Sequence, residues 1–237
     1  MQQIIYKSNE RGEKNTGWLH SRFTFSFSSY YAPTRNGFGL LKVFNDDVVQ
    51  PGTGFGLHAH TNMEIISILL QGRMNHKDTL GYSEELEAGA VQIMSAGSGL
   101  RHEEYNIGET EVRFLQIWIE PRLQNIPPRY QRRSFPQPQR HNRLVTVVSN
   151  EEGPGHCWIN QNARLSLGSF DAHMEQHYPL NPMNKGLFLY VIDGSLQAGG
   201  VTLEAGDAAG FWETDSLHIR TTSAAHYLLI ETPINHL

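Results

Sequence analysis

The chain consists of short runs of β-branched, aromatic and aliphatic residues, and each run is bounded by Gly, Pro, Asn or Asp. Examples lie at residues 39–44, 63–70, 91–94 and 112–119. The last of these, VRFLQIWI, alternates at first and then becomes continuously apolar, which is typical of a strand buried in a β-sandwich. Apolar residues seldom recur with the period of a helix, and the 22 glycines and 11 prolines are consistent with many tight turns. The sequence therefore predicts an all-β fold.

A segment rich in proline and arginine, residues 121–143, separates two stretches of this strand-like pattern. Its composition predicts an extended connection between domains. At 237 residues the chain is long enough for one large β domain or for two smaller ones. The connection favours two, with residues 1–135 forming an N-terminal domain and residues 136–237 forming a C-terminal domain.

The two stretches also carry a weak internal repeat. LLQG at 69–72 precedes LEAG at 86–89, and VIDG at 191–194 precedes LEAG at 203–206. In each half a strand ends in a glycine turn, a return strand follows, and a second glycine turn opens the next strand. The repeat predicts two β-barrel or jelly-roll domains in tandem.

Charge and cysteine content restrict the classes of function. The formal net charge is −5 and the pI is near 6.2, and no Lys/Arg run follows a phosphate backbone, so direct nucleic-acid binding is not expected. The single cysteine, Cys157, excludes an intramolecular disulfide, as is typical of the reducing cytoplasm. Residues 1–11 lack the apolar stretch of a signal peptide, and apolar runs such as 65–70 are far too short to span a bilayer. The sequence predicts a soluble cytoplasmic protein that does not bind membranes.

Two histidines at the end of a β-type segment form the first part of a candidate site. In Gly52-x5-His58-x-His60 the histidines are two residues apart. Because alternate residues of a strand project from the same face, both imidazoles can reach one point. Taken alone, the pair could also lie on a solvated face.

A second alternating pair follows a glycine-rich bend at residues 95–99. His102 and Glu104 share one face of the predicted strand, whereas Glu103 points to the opposite face. Together with the first pair they make a set of three imidazoles and one carboxylate. Such a mixed nitrogen and oxygen set fits a transition metal with positions left open for water or substrate. A structural zinc site would more often use thiolates, and Cys157 lies far along the chain.

These two segments resemble the two conserved motifs of the cupin superfamily, and most closely those of its pirin group. The similarity extends over GWLHSRFTFSFSSYYAP, NDDVVQPGTGFGLHAHTNMEI, QIMSAGSGLRHEEYN and QIWIEPRLQNIPPRYQRR, and so covers most of residues 1–135. The resemblance implies a bicupin fold, with two cupin domains in tandem and one metal ion in the N-terminal domain. The metal ligands that it implies are His58, His60, His102 and Glu104.

Glu64 is an alternative carboxylate ligand. In many other cupins the acidic ligand follows the first histidine pair by a few residues, and Glu64 occupies that place. If the strand ran straight on, Glu64 would share the face of His60. A turn at residues 61–62 would break that relation, and the pirin pattern takes its carboxylate from the second motif. Glu104 is therefore preferred.

The second half shares only the general cupin pattern, and we expect it to be free of metal. It has no His-x-His pair. His218 follows Gly206 at about the interval by which His102 follows Gly89, as a relic of a lost site would. Cys157 is expected to be an ordinary buried residue, because nothing near it in the sequence would activate a thiolate.

The resemblance to pirins implies quercetin 2,3-dioxygenase activity, which opens the central ring of a flavonol with O2 and releases carbon monoxide. Glu104 would then accept the proton of the substrate's 3-hydroxyl group as a general base. The implied cofactor is one divalent transition metal, with Fe(II) placed before Cu, Mn, Ni, Co or Zn.

Two other functions stay open. Eukaryotic pirin-like proteins are linked to transcriptional co-regulation, so the chain could instead be a redox-sensitive metalloprotein that binds a protein partner and turns over nothing. The acidic pI favours a protein rather than DNA as that partner. A metal-dependent isomerase or hydrolase is the third hypothesis, because cupins support many reactions on one fold.

Overall fold

The computed structural model describes residues 1–234 and contains 22 strands and two short 3-10 helices, Ser8–Glu10 and Gln137–Arg140. The all-β prediction is confirmed. Within these residues, no helix has the length and apolar character needed to cross a membrane. The strands are β1 (Gln2–Tyr6), β2 (Gly12–Asn15), β3 (Leu19–Phe23), β4 (Leu41–Val49), β5 (Gly54–His60), β6 (Glu64–Gln71), β7 (Arg73–Asp78), β8 (Ser83–Glu87), β9 (Ala90–Ser95), β10 (Leu100–Asn106), β11 (Val112–Ile119), β12 (Arg129–Ser134), β13 (Leu144–Ser149), β14 (Cys157–Trp158), β15 (Arg164–Phe170), β16 (Glu175–Pro179), β17 (Gly186–Asp193), β18 (Ser195–Ala198), β19 (Val201–Glu204), β20 (Ala208–Trp212), β21 (Ser216–Thr221) and β22 (Ala225–Thr232).

The sheets form two groups, each with one seven-stranded and one four-stranded sheet, and apart from β1 each group comes from one half of the chain. In the N-terminal half the strand orders are β12-β9-β6-β11-β4-β3-β2 and β5-β10-β7-β8. In the C-terminal half they are β1-β20-β17-β22-β15-β13-β14 and β16-β21-β18-β19. Neighbouring strands are antiparallel throughout the described sheets, except for the short parallel pair β13 and β14. The matching orders confirm the prediction of two similar β domains in tandem.

Glycine turns occupy equivalent places in the two halves, as the sequence repeat predicts. Gly72 lies between β6 and β7 with a φ of 82°, and Gly194 lies between β17 and β18 with a φ of 79°. Gly89 precedes β9 with a φ of 89°, and Gly206 precedes β20 with a φ of 84°. A side chain is strained at these left-handed φ values, so each turn favours glycine.

The first strand crosses from one half to the other. β1 pairs with β20 along its whole length and forms an edge of the C-terminal seven-stranded sheet. Directly after it, Lys7 Nζ makes an ion pair of 2.6 Å with the carboxylate of Asp207. The start of the chain therefore ties the two halves together.

The prediction that residues 121–143 form only an extended connection is wrong. Arg129–Ser134 is a strand, β12, which pairs antiparallel with β9 and forms an edge of the N-terminal seven-stranded sheet. Prolines lie on both sides of this strand but not within it, as a sheet edge allows. Tyr130 is buried, whereas Arg129 and Arg133 stay partly exposed. The arginines and prolines that predict a linker instead belong to the solvated face and the ends of an edge strand.

The largest apolar core lies where the two seven-stranded sheets pack together. Phe44 of β4 contacts Phe188 and Tyr190 of β17, with ring centroids 5.1 and 4.7 Å apart. The C-terminal barrel has a second continuous core of aliphatic and aromatic residues. In the N-terminal barrel the apolar residues separate into two smaller clusters. Buried polar side chains accompany them, among them Asp47 and Gln92, so this barrel has a partly polar interior.

Candidate metal centre

The two histidine motifs meet in the four-stranded sheet of the N-terminal half. β5 carries His58 and His60, β10 carries His102 and Glu104, and the two strands are antiparallel neighbours. Their register pairs His102 with His58 and shifts at an irregularity between His102 and Glu104. The alternation within each strand thus brings side chains of both motifs to one place.

Three imidazoles converge there. The ring centroids of His58 and His102 are 4.3 Å apart, those of His58 and His60 are 4.7 Å apart, and those of His60 and His102 are 5.0 Å apart. One ring nitrogen of each residue lies within 4.8 Å of the other two. Because metal–nitrogen bonds to histidine are about 2.0–2.1 Å long, small side-chain movements would let the three nitrogens share one ion.

The hydrogen bonds of these rings leave nitrogens free for such an ion. His58 Nδ1 lies 2.8 Å from the carbonyl oxygen of Gly56, so Nδ1–H donates to that carbonyl and Nε2 keeps its lone pair. His102 is only 2% exposed, and neither of its ring nitrogens has a hydrogen-bond partner among residues 1–234. An unpartnered buried polar group destabilises a fold. The unpartnered state of His102 therefore fits a metal ion at this place.

Burial also keeps two of the imidazoles neutral. It lowers the pKa of His102 to about 2, with further lowering by the nearby rings of His58, His60 and His76. It lowers the pKa of His60 to about 4, with a smaller contribution from His58. The neutral imidazole, which has one unprotonated nitrogen, is the form that binds metal. At neutral pH, His60 and His102 are therefore already in the form that binds a metal ion.

The carboxylate of Glu104 belongs to a second, overlapping group of donor atoms. Within residues 1–234, side chains whose donor atoms all lie within 4.8 Å of one another form two sets that share His102. These sets are His58, His60 and His102, and His76, His102 and Glu104. The structure therefore brings together three of the four predicted ligands, and the fourth lies beside one of them.

Glu104 is held in the partly polar interior of the barrel. Its carboxylate accepts a hydrogen bond from the side-chain amide of Gln92. Burial raises the pKa of Glu104 to about 7; the Gln92 hydrogen bond opposes this rise, and the Asp47 carboxylate adds to it. Glu104 is thus a carboxyl group that exchanges its proton near neutral pH.

Three residues of this site escape the sequence analysis: His76 on β7, Gln92 on β9 and Tyr130 on β12. The Tyr130 hydroxyl donates to Gln92 Oε1 at 3.1 Å. The Tyr130 ring stacks on His76, with centroids 4.3 Å apart and an interplanar angle of 14°. Only His76 has a sequence signal, because it alternates with the buried Met74 along β7.

Glu64, the alternative ligand, faces a different environment. The chain turns after β5 at Asn62, which has a φ of 48°. Glu64 is completely buried, and its Oε2 accepts hydrogen bonds from Ser95 Oγ at 2.7 Å and from the backbone N–H of Asn160 at 3.1 Å. Its carboxylate therefore joins the two halves of the chain and belongs to neither group of metal-type donors among the described residues.

An aromatic wall borders the imidazoles. The indole of Trp118 meets the His60 ring edge to face, with centroids 5.1 Å apart, and Phe27 packs in the same way on Trp118 at 5.5 Å. Trp118 Nε1–H is buried and has no acceptor among residues 1–234. The rings of Trp118 and Phe27 therefore border the site on the side of His60.

Comparison with known proteins assigns the family. Residues 6–119 match the Pirin family, and residues 146–232 match the quercetinase C-terminal cupin domain. A quercetin 2,3-dioxygenase of Escherichia coli K12 is 38% identical over 233 residues, which cover 97% of this chain and 99% of that protein. A pirin-like protein of Caulobacter vibrioides is 36% identical over 221 residues, covering 93% and 95%. The chain belongs to the pirin family.

Solved pirin structures share the fold along the whole chain. YhhW from Escherichia coli superposes with a TM-score of 0.94 at 35% identity, with full coverage of both chains. The bacterial pirin YhhW in complex with nickel(II) gives a TM-score of 0.92 at 35% identity, over 98% of this chain and 100% of that one. The predicted bicupin fold and the resemblance to pirins are confirmed, and one relative of this pirin binds a divalent transition metal.

The second cupin domain of this pirin directs His218 outward. By sheet order, β21 corresponds to β10. His218 is 59% exposed, whereas its neighbour Leu217 is buried. The interval from Gly206 to His218 is one residue shorter than that from Gly89 to His102, and a change of one residue moves a side chain to the other face of a strand.

Proposed function

We propose that this pirin is a metal-dependent dioxygenase that cleaves quercetin-like flavonols with O2. The observation that carries the proposal is the convergence of three imidazoles beside a buried carboxylate, with both nitrogens of His102 unpartnered among residues 1–234. Its relatives in Escherichia coli that are named quercetin 2,3-dioxygenase support the choice of substrate class.

The proposed metal ligands are His58, His60, His102 and Glu104. Glu104 has two carboxylate oxygens, so one can keep the hydrogen bond from Gln92 while the other turns toward the imidazoles. Fe(II) is the proposed ion because imidazole and carboxylate ligands with open positions are typical of non-haem iron oxygenases. The nickel(II) complex of YhhW supports a divalent ion in this family.

The chain's own residues would bind and orient the flavonol. When bound, the ion supplies Lewis-acid polarisation of substrate oxygens and redox chemistry with O2. Glu104 would accept the proton of the 3-hydroxyl group, and Gln92 would hold the carboxylate in place while it does so. Trp118 and Phe27 would lie against the flat rings of the flavonol.

The test combines metal analysis with turnover. Protein purified without a histidine tag is analysed for metal content and then incubated aerobically with quercetin, while flavonol absorbance and carbon monoxide are followed. We expect about one metal ion per chain, and loss of both metal and turnover in His58→Ala and His102→Ala. Glu104→Gln should keep measurable metal but lose turnover. His177→Ala, which removes an exposed imidazole in the C-terminal domain, is the matched control and should behave as wild type.

The outcomes separate the hypotheses. Metal binding without turnover, whichever divalent ion is loaded, would contradict the dioxygenase and favour a partner-binding metalloprotein. Failure to bind any metal would contradict the ligand set itself. Full turnover by metal-loaded Glu104→Gln would contradict only the role of Glu104 as a base.

A further inference from the structure

His76 is a buried residue that lies outside both histidine motifs and has no role in the proposed reaction. Its side chain is completely buried at the centre of the N-terminal four-stranded sheet, on β7. The register of β7 and β10 places it directly opposite Glu104. A polar ring in such a position needs a reason, because an aliphatic residue would fill the space without desolvating a polar group.

One side of the His76 ring is firmly fixed. His76 Nε2 lies 3.0 Å from Oδ2 of Asp78, a carboxylate whose side chain is also completely buried. The other oxygen of Asp78, Oδ1, accepts the backbone N–H groups of Leu80 at 2.9 Å and Tyr82 at 3.1 Å. Because the carboxylate only accepts, Nε2 carries the proton, and in the neutral ring Nδ1 therefore carries the lone pair.

The remaining freedom of the ring is removed by stacking. The Tyr130 ring lies nearly parallel to His76, with centroids 4.3 Å apart. Tyr130 is itself held by the hydrogen bond from its hydroxyl group to Gln92. The orientation of His76 and its tautomer are therefore both determined by its surroundings.

The ring of His76 lies next to the proposed metal centre. His76 Nδ1 is buried and has no hydrogen-bond partner among residues 1–234, and the same holds for both nitrogens of His102. The two ring centroids are 5.5 Å apart, and a nitrogen of each ring lies within 4.8 Å of the other. Nδ1 of His76 is thus an acceptor without a donor, and the neighbouring ring of His102 has an N–H group without an acceptor.

We propose that His76 is a positioning residue for the metal ligand His102. When one nitrogen of His102 binds metal, its other nitrogen carries the proton and donates it in a hydrogen bond to Nδ1 of His76. The chain Asp78–His76–His102 then fixes the rotamer and the tautomer of the ligand. The inference rests on the proposed function, since it requires that His102 binds metal.

The arrangement matches a general requirement of metal sites. A histidine ligand usually donates its second N–H group to an acceptor, which orients the ring and raises its basicity, and loss of that acceptor typically weakens metal binding by about 10- to 100-fold. In this site His58 has its acceptor in the carbonyl of Gly56. Among residues 1–234, the ring of His102 has no hydrogen-bond acceptor. His76 would provide one.

Two substitutions test the chain from opposite ends. His76→Phe keeps a ring that can stack on Tyr130 but removes the acceptor. Asp78→Asn keeps the shape but reverses the polarity, because the two backbone N–H groups hold the side-chain oxygen and the amide N–H group then faces His76. His76 would then carry its proton on Nδ1 and could no longer accept from His102. His76→Gln retains an acceptor oxygen and is the conservative variant.

The measurements are Ni(II) affinity, the visible spectrum of the Co(II)-loaded protein, and the number of imidazoles bound to the metal by X-ray absorption. His76→Phe and Asp78→Asn should each raise the Kd by about 10- to 100-fold and shift the Co(II) bands, while three imidazoles stay bound. His76→Gln should recover part of the affinity. His177→Phe, an exposed histidine of the other domain, is the matched control and should leave both readouts unchanged.

The possible failures can be told apart. If wild type binds no metal, the proposed function fails and this inference fails with it. If wild type binds metal and the folded variants His76→Phe and Asp78→Asn bind it with unchanged Kd and Co(II) spectrum, only the positioning role is overturned. Loss of one imidazole from the metal in His76→Phe would also overturn it, because His76 would then be a ligand. Should His76→Phe fail to fold, Asp78→Asn and His76→Gln decide the question.

Discussion

Replacing Glu104 by glutamine tests whether this carboxyl group ionises when metal binds. Burial raises the pKa of Glu104 to about 7 in the metal-free protein, so the group is largely protonated in mild acid. A carboxylate that binds metal must first lose this proton. The metal affinity of wild type should therefore weaken as the pH falls, and the part due to Glu104 should be missing from Glu104→Gln.

The size of this effect follows from the pKa values of the site. Between about pH 7.5 and about pH 5.5, a group with a pKa near 7 passes from mostly ionised to mostly protonated, which weakens metal binding by about 25-fold. His60 and His102, with pKa values of about 4 and about 2, are neutral at both pH values and add almost nothing. Two imidazoles with the ordinary pKa would instead add about tenfold each. Any contribution from His58 is common to both proteins and cancels in the comparison.

The assay is competition for Ni(II) with a chromophoric chelator, corrected for protonation of the chelator, at both pH values. Glu104→Gln should bind Ni(II) more weakly than wild type at about pH 7.5. The ratio of its Kd values at the two pH values should be about 25-fold smaller than that of wild type. His177→Gln should reproduce the wild-type ratio. Equal ratios in wild type and Glu104→Gln would refute the reasoning, because Glu104 would then not ionise on metal binding.

Three further outcomes test the rest of the molecule. Asp46 accepts hydrogen bonds from Arg113 at 3.0 and 2.8 Å and from the Tyr190 hydroxyl at 2.7 Å. In urea denaturation, Asp46→Ala should therefore lower the free energy of unfolding by about 3 kcal/mol, and Tyr190→Phe should lower it by about 1 kcal/mol. Cys157 is buried, and burial raises its pKa to about 12, so a thiol reagent should modify it only after unfolding. Burial, with nearby arginines, lowers the pKa of His226 to about 3, so below about pH 6.5 the unfolded chain takes up a proton that the folded chain does not. Between about pH 7 and about pH 5 this should lower the free energy of unfolding by about 2 kcal/mol, a loss that His226→Gln should not show.

Each of these outcomes has a clear opposite. A loss of less than about 1 kcal/mol in Asp46→Ala would mean that its ion pair with Arg113 contributes little net stability. Rapid modification of Cys157 in the folded protein would show that its surroundings open readily. An unchanged acid slope in His226→Gln would assign the uptake of protons to other groups.

Alternation within a single strand made it predictable that His58 and His60 share a face and that His102 and Glu104 share a face, and the resemblance to pirins implied that the two pairs meet. Alternation determines the face on which a side chain of a strand lies, and it needs no information about distant parts of the chain. The position of Glu104 relative to these rings was less predictable. The register between β10 and β5 shifts between His102 and Glu104, and no pattern in the sequence signals that irregularity.

The surroundings of the site were not predictable, because they come from strands that meet only when the barrel closes. His76, Gln92 and Tyr130 lie on three different strands, and no spacing connects them. The burial of Tyr130 was also not predictable from its neighbours in the sequence. The prolines and arginines around it have the composition of a linker, and one buried position does not change that prediction. The pairing of β1 with the C-terminal sheet is a contact of the same non-local kind.

The two domains differ in what fills equivalent places inside similar barrels. In β10 the inward positions carry His102 and Glu104, whereas in the corresponding β21 they carry the buried Leu217 and Ile219. Aliphatic side chains there stabilise the C-terminal domain by burial. The unpartnered nitrogens of His76 on β7 and His102 on β10 instead each destabilise the N-terminal domain by about 1–3 kcal/mol. A bound ion would satisfy His102 directly, and through it the lone pair of His76, and ligand binding to the folded state adds stability. A ligand would therefore explain the polar residues His102 and Glu104 on β10, whereas packing explains Leu217 and Ile219 at the corresponding place on β21.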